Sequence, residues 1–323
     1  MCTAVTFHTK QHYFGRNLDL EYHYDEAVTI TPRNFIFKFR KADAIKKHYA
    51  MIGMATVANG YPLYYDATNE HGLSMAGLNF PANATYYSYT ANRDNIAPFE
   101  LIPWILGQCR TVADAEKLLT QLNIINIPFS DQYPLSPLHW IIADHHRSIT
   151  VEPLQDGLKV WENPIGVLTN NPQFDFHLHY LAHYLQLSTG EPSGEFRKLL
   201  HISPYSHGMG AIGLPGDLSS ASRFVRATFT KYNSVCDPDE LSSVNQFFHI
   251  LVSVEQQRGC CRTKDGLEKT IYSSCCNTDT GTYYYTTYDN RQINAVDMQK
   301  CDLDGNKLSV FALQYSANIL NIN

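Results

Sequence analysis

The amino-acid sequence predicts an α/β or α+β protein in which stacked sheets are covered by helices, and three observations carry that prediction. Strand-like runs crowd both ends of the chain, helical periodicities lie between them, and 21 Tyr and 16 Phe against 3 Trp suit pleated surfaces better than a helical bundle. At 323 residues and 44% hydrophobic, the chain can bury a large core. With no internal repeat and no Ser/Gly-rich linker, it reads as one domain over residues 1–323.

Near the N-terminus, "MCTAVTFHT" is apolar and β-branched, and "AVTITPRNFIFKFR" alternates through Val28, Ile30, Phe35, Phe37 and Phe39. "YAMIGMATV" is a short apolar run, and all three predict strands. If "YFGRNLD" is the strand beside the first, Gly15 allows a close approach between them. One helix is expected from about Pro98 to Gly107. A second, capped by Thr111, runs through Leu122 with Ala113, Ala115, Leu118 and Leu119 on one face. "HLHYLAHYLQL" and "ELSSVNQFFHILVSVEQQ" read as two more, and "GDLSSASRFVR" as a helix start capped by Asp217, Ser219 or Ser220. The runs "TIYSSCCN", "GTYYYTTYD" and "QINAVDM" are strand-like, and "TDTG" and "DN" between them are hairpin-turn chemistry.

Several function classes drop out. A net charge of −6 gives no global bias toward nucleic acid. The chain shows neither the basic segment and apolar run of a secretory signal nor a window of ~18 uninterrupted apolar residues, so a soluble cytoplasmic protein without a membrane partner is expected. Its 8 cysteines are then expected to be reduced, and without a CxxC spacing a zinc site is not expected; no metal or cofactor is called for. The sequon at Asn83 means nothing without export. Gly208, Gly210 and Gly213 match G-x-G-x-x-G, but the match leads into Leu-Pro-Gly rather than a helix and is rejected as a dinucleotide fingerprint. His177, His179 and His183 are expected on an exposed helix face.

The candidate chemistry starts at Cys2. An unperturbed thiol, of pKa about 8.5, is mostly protonated at neutral pH. Removal of Met1 would expose an α-amine on the same α-carbon as the thiol, where it could act as general base. Arg16 could favour the thiolate and Asp19 could orient the ammonium. Taken alone, these residues fit a buried N-terminal cysteine and a surface Arg/Asp pair better.

Downstream, "GLNFP" at Asn79 and "GVLTNNP" at Asn171 offer uncharged N–H donors suited to an oxyanion. Asn171 follows an apolar run and precedes Pro172, which holds it extended at a strand end. The alternative for both is turn formation, and that reading is kept for Asn17 and Asn170. Arg223, early in its helix, opposes the helix dipole and calls for an anionic neighbour, either a site cluster or a surface salt bridge.

The segments "MCT", "FGRNLD", "GLNFP", "GVLTNNP", "GLPGDLSSASRF" and "YYYTTYDN" together resemble the choloylglycine hydrolase family of N-terminal nucleophile hydrolases, which includes bile salt hydrolases and penicillin V acylases. The likeness runs from Cys2 to "INAVDM"; each motif is weak and the ordered set is specific. It implies an α+β fold, a four-layer αββα sandwich of two antiparallel sheets, with Met1 removed and Cys2 attacking an amide carbon. By motif, Arg16 and Asp19 flank the nucleophile, Asn79 and Asn171 match the oxyanion-stabilising pair, and Arg223 is the second arginine of the site.

Asn rather than Tyr at position 79 resembles the bile salt hydrolases, so conjugated bile salts, as glycine or taurine amides, are the expected substrates. Acylases of phenoxyacetyl β-lactams or of N-acyl homoserine lactones are the enzymatic alternatives, and a non-catalytic binding protein is a third. For a steroid, Ile127, Phe129 and Leu135 on the Pro-broken loop, with Leu18 and Tyr24, are candidate pocket residues; otherwise that loop packs on the core. The family further implies a homotetramer, for which "LSTGEPSGEFRKLLHISPYSHG" is the candidate contact segment.

Overall fold

The computed structural model describes residues 1–323 with the exception of the Arg197 side chain. The β-branched and aromatic runs form β1 (Cys2–His8), β2 (His12–Leu20), β3 (Ala27–Thr31), β4 (Met51–Ala58), β5 (Tyr61–Asn69) and β6 (Ser74–Asn79). Then come β7 (Asp94–Ile96), β8 (Leu122–Ile124), β9 (Leu138–Ala143), β10 (Ser148–Leu154), β11 (Gly157–Glu162) and β12 (Val167–Leu168). The C-terminal part adds β13 (Cys261–Arg262), β14 (Leu267–Asn277), β15 (Thr282–Thr287), β16 (Asn294–Asp297) and β17 (Ser309–Ala312). The helices are α1 (Leu101–Leu106), α2 (Val112–Leu119), α3 (Phe174–Leu181), α4 (Glu195–Leu200), α5 (Ser220–Asn233) and α6 (Glu240–Val252).

Two large antiparallel sheets result. The first has the order β12-β1-β2-β14-β15-β16, with β13 beside β14, and the second the order β11-β10-β9-β6-β5-β4-β3-β17. Phe224 of α5 and Phe247 of α6 pack with the first sheet in a cluster that continues through Ile52, Leu78 and Ile141 of the second. On the far side, Leu101 and Ile105 of α1 pack with Met51, Met75 and Ile142. Period-two alternation lets one strand serve both clusters: in β9, Ile141 faces the other sheet and Ile142 faces α1. The layers run α, β, β, α, as expected.

Local departures have simple causes. The predicted strand through Phe39 stops at Thr31, because Pro32 brings no N–H for the ladder. Phe37 instead meets Phe35 edge to face and stacks with Phe39, and all three pack with the α1 cluster. α2 is capped by the Thr111 hydroxyl but ends at Leu119, and Leu122 opens β8, paired in parallel with β7.

The close approach at Gly15 is made by β14, paired with β2, rather than by β1 as expected: a Cβ there would stand 1.9 Å from the Ser274 carbonyl oxygen. Gly15→Ala is expected to destabilise the fold by about 3 kcal/mol or more, read as a lowered urea midpoint.

Candidate active site

Cys2 opens β1 and is 2% exposed. On one side β2 pairs it with Leu18, so Arg16 and Asp19 enter the same buried strand. On the other side β12 pairs Val167 with Val5 and Leu168 with Ala4. Extending that register by two residues sets Asn170 opposite Cys2.

Asn170 is held on every side. Its Oδ1 accepts from the Cys2 N–H at 2.8 Å and from Arg223 Nη2 at 2.7 Å, and its Nδ2 donates to the Asn79 carbonyl at 2.7 Å. Its backbone N–H donates to the Ser220 hydroxyl and its carbonyl accepts from His177 Nε2. The expectation of Asn170 as a turn former and Asn171 as the inward donor is therefore corrected. Asn171 is one residue out of phase and turns its Nδ2 to the Pro81 carbonyl and Asn83 Oδ1. Parity along the extended chain decides which asparagine faces the thiol.

Arg223 sits in the first turns of α5, whose cap is Ser219. Fully buried, it donates through Nη1 to the Cys2 carbonyl and the Thr3 hydroxyl, both at 2.6 Å, and through Nε to the Leu218 carbonyl. Burial pulls its guanidinium below the ordinary arginine value, against the opposing pull of Asp19 and then Cys2. Arg16 is equally buried and has no carboxylate within ion-pair distance among the described residues; Nη1 donates to the Gly77 and Tyr65 carbonyls. Burial opposes its charge too, but Cys2, Tyr272 and Asp66 hold it above the ordinary value. The plainer expectation of a surface Arg/Asp pair fails, because both residues are 0% exposed.

Met1 is in place. Its amine donates to the Asp19 carbonyl at 2.7 Å and pairs with Glu268 Oε2 at 2.6 Å. Burial raises both the Asp19 and the Glu268 carboxyl above the usual carboxylate range. Thr270 donates to Asp19 Oδ1 at 2.6 Å. Arg16 Nη2, Asp19 Oδ2 and Glu268 Oε1 are buried without a hydrogen-bond partner among the described residues. Three such atoms around one N-terminus mark a place with polar capacity in hand. Asn79, at the end of β6, makes no side-chain hydrogen bond among the described residues and is part-exposed.

Among the candidate pocket residues, Leu18 is buried opposite Cys2, and Tyr24 is 47% exposed in the loop after β2. Ile127, Phe129 and Leu135 are each partly buried. Phe129 packs with Phe99, Tyr61 and Tyr133 under the Arg40 guanidinium, which accounts for it by packing. The far end of the loop reaches the site, where Phe80 N–H donates to the Pro137 carbonyl beside Asn79. Cavities of about 710 and 620 Å³ lie elsewhere, the first around Arg33 and Glu70, the second around Asn83 and Trp161. They contain none of the residues around Cys2, and the chemistry outweighs their size.

Sequence reasoning missed Glu268 and His177. Nothing local distinguishes Glu268; its place beside the N-terminus depends on β14 pairing with β2. His177, expected on an exposed face, is fully buried against Phe224.

A model of the choloylglycine hydrolase family, linear amide C–N hydrolases, matches residues 2–311. A bile salt hydrolase/transferase of Lactiplantibacillus plantarum is 53% identical over 324 residues, covering 100% of both chains. A second, of Clostridium perfringens, is 37% identical over 330 residues, also covering 100% of both. The crystal structure of a mutant conjugated bile acid hydrolase from Clostridium perfringens is similar with a TM-score of 0.91 over 100% of both chains at 37% identity. A penicillin V acylase from Agrobacterium tumefaciens shares the fold, with a TM-score of 0.77 at 19% identity over 98% of this chain and 95% of its own.

Burial lowers His177 from 6.5 to about 4 and His12 from 6.5 to about 3. The folded state therefore binds fewer protons than the unfolded one between these values, and stability is lost as pH falls from 6.5 toward 4. For His177 the loss is bounded at about 3 kcal/mol. The urea midpoint is expected to drop between pH 7 and pH 4.5, and His177→Gln, which keeps a donor to the Asn170 carbonyl, should flatten that drop.

Proposed function

The chain belongs to the choloylglycine hydrolase family of linear amide C–N hydrolases, and from that premise we propose that it hydrolyses glycine- or taurine-conjugated bile salts through Cys2. The observation that carries the reading is the gathering of Arg16, Asp19, Asn170 and Arg223 around a cysteine at the second residue, with Asn170 and Arg223 bonded to its backbone and both guanidiniums within electrostatic reach of its thiol. The relatives named for bile salts, matching along their full length, supply the substrate class.

In this reading Met1 is removed, and the Cys2 nitrogen becomes an amine still facing Asn170 Oδ1, with Asp19 Oδ2 able to accept a further hydrogen. That amine takes the thiol proton as sulfur attacks the amide carbon, and the electron pair of the C=O bond moves to oxygen. The oxyanion is held by the Asn79 side-chain N–H and by Asn170 Nδ2, which replaces Asn171 in the role first expected. When the C–N bond breaks, the α-ammonium gives its proton to the leaving glycine or taurine nitrogen. Water then adds to the thioester, the amine accepts its proton, and bile acid and free thiol are released. Arg16, without a carboxylate partner, offers its charge to the sulfur when that is negative; Arg223 fixes the Cys2 backbone.

We take residues 1–323 as one domain, since β14 to β16 complete the sheet that β1 and β2 begin. A cytoplasmic homotetramer is part of the same proposal. Leu185, Phe196, Leu199, Ile202, Tyr205 and Ile212 are each more than 60% exposed within one segment, an apolar surface suited to a second copy. Light scattering should give a mass near four chains, and a monomer mass would overturn that part.

The principal test measures amine released from glycocholate, taurocholate and penicillin V. Glycine or taurine release that disappears in Cys2→Ala is expected. Cleavage of penicillin V alone would replace the substrate class, and no cleavage of any would sink the nucleophile assignment. Asn170→Ala should lose about 3 kcal/mol of transition-state stabilisation, roughly a hundredfold in kcat, while Asn171→Ala should lose far less.

A further inference from the structure

Inside the second sheet, His139 of β9 and Glu152 of β10 meet with His139 Nδ1 3.1 Å from Glu152 Oε1, both side chains 0% exposed. His139 Nε2 lies 2.9 Å from the Thr169 carbonyl oxygen, which can only accept, so Nε2 carries a hydrogen. A further hydrogen must lie between Nδ1 and Oε1, and wherever it resides on that line the pair is net neutral. The rest of the carboxylate is also engaged. Phe174 N–H lies 3.0 Å from Oε1 and 3.2 Å from Oε2, and Trp161 Nε1 donates to Oε2 at 3.0 Å. The Phe80 ring lies flat on the imidazole, 4.1 Å away and 6° from parallel.

The partners of this pair flank the oxyanion donors. Thr169 precedes Asn170, Phe80 follows Asn79, and Phe174 begins α3 on the far side of Asn171 and Pro172. One buried unit therefore grips both segments. Apolar side chains of the same volume could fill the space but could not bond a carbonyl on one side and an amide on the other. A buried and fully satisfied polar pair fixes direction as well as position.

We propose that His139 and Glu152 are a positioning pair for the oxyanion hole, holding the Asn79 and Asn170 amides to a common point. The proposal rests on those two asparagines being the oxyanion donors. Arg223 holds both the Cys2 carbonyl and Asn170 Oδ1 from the first-sheet side, and the pair adds a hold from the second sheet on the backbone that carries the two donors, through the Thr169 carbonyl and the Phe80 ring. Damage to the pair should slow formation of the tetrahedral intermediate and leave the nucleophile intact.

The experiment compares Glu152→Gln and His139→Gln with wild type and Asn170→Ala, reading kcat and KM on glycocholate and the rate of Cys2 alkylation by iodoacetamide. Each pair variant is expected to lose 10- to 100-fold in kcat, with KM within about twofold and Cys2 alkylation unchanged. An unchanged kcat overturns the proposal, as does a loss matched by slower alkylation or carried by KM, since those mark general disruption. Urea midpoints check folding; if both variants unfold, Phe80→Leu, which removes only the stacked ring, carries the same expected pattern at smaller size. Wild type without hydrolysis, or Asn170→Ala with full activity, would defeat the donor reading itself. An impaired Asn170→Ala beside an unimpaired Glu152→Gln would defeat the pair alone.

Discussion

The Arg223 guanidinium decides where the N-terminus can lie. Its donors reach the Cys2 carbonyl, the Thr3 hydroxyl, Asn170 Oδ1 and the Leu218 carbonyl, joining β1, the end of β12 and the approach to α5 at one buried point. A cation with no exposure is tolerable only when its donors are used and negative charge lies near. Asp19 supplies the nearby charge, and its own burial is eased in turn by the Met1 amine and then by Arg223. The site is a set of buried charges whose hydrogen bonds go to neutral groups, with Asp19 and the two arginines, Arg16 and Arg223, easing one another through the field rather than through direct ion pairs.

That interdependence explains what could be read in advance. The strands at both ends, the Thr111 cap and the helix begun near Ser219 follow from local rules of spacing and capping, and they stand in the structure. The αββα arrangement came from the family likeness, and the alternation in β9 shows why the chain adopts it. Phe35, Phe37 and Phe39 show the limit of alternation as evidence. Their spacing suits a strand, yet Pro32 ends the ladder and the rings find a ring cluster instead.

The site residues were legible unevenly for the same reason. Cys2, Arg16, Asp19 and Arg223 carry motif signals, and all four are buried around one point. Choosing between Asn170 and Asn171 requires the β1–β12 register, which two adjacent asparagines before a proline do not disclose. Glu268 takes its place through β2, far from it in sequence, while His139 and Glu152 meet across the consecutive strands β9 and β10 and reach the asparagines only through the fold; their local contexts read as ordinary strand residues.

The proposed removal of Met1 would give the unpartnered atoms at the N-terminus a use. With Met1 attached, the N-terminal amine is that of Met1, and it pairs with Glu268 at 2.6 Å. The Cys2 nitrogen is then an amide with one hydrogen, given to Asn170, and Asp19 Oδ2 has nothing to accept. With Met1 removed as proposed, the positive charge would move inward by one residue onto the Cys2 nitrogen, which would gain hydrogens, and Glu268 would lose its ion-pair partner. A cluster perfectly satisfied by Met1 would oppose that change. One with an unpartnered Asp19 oxygen in the same buried cluster, and with an ion pair made by Met1 itself, is suited to the shorter chain proposed.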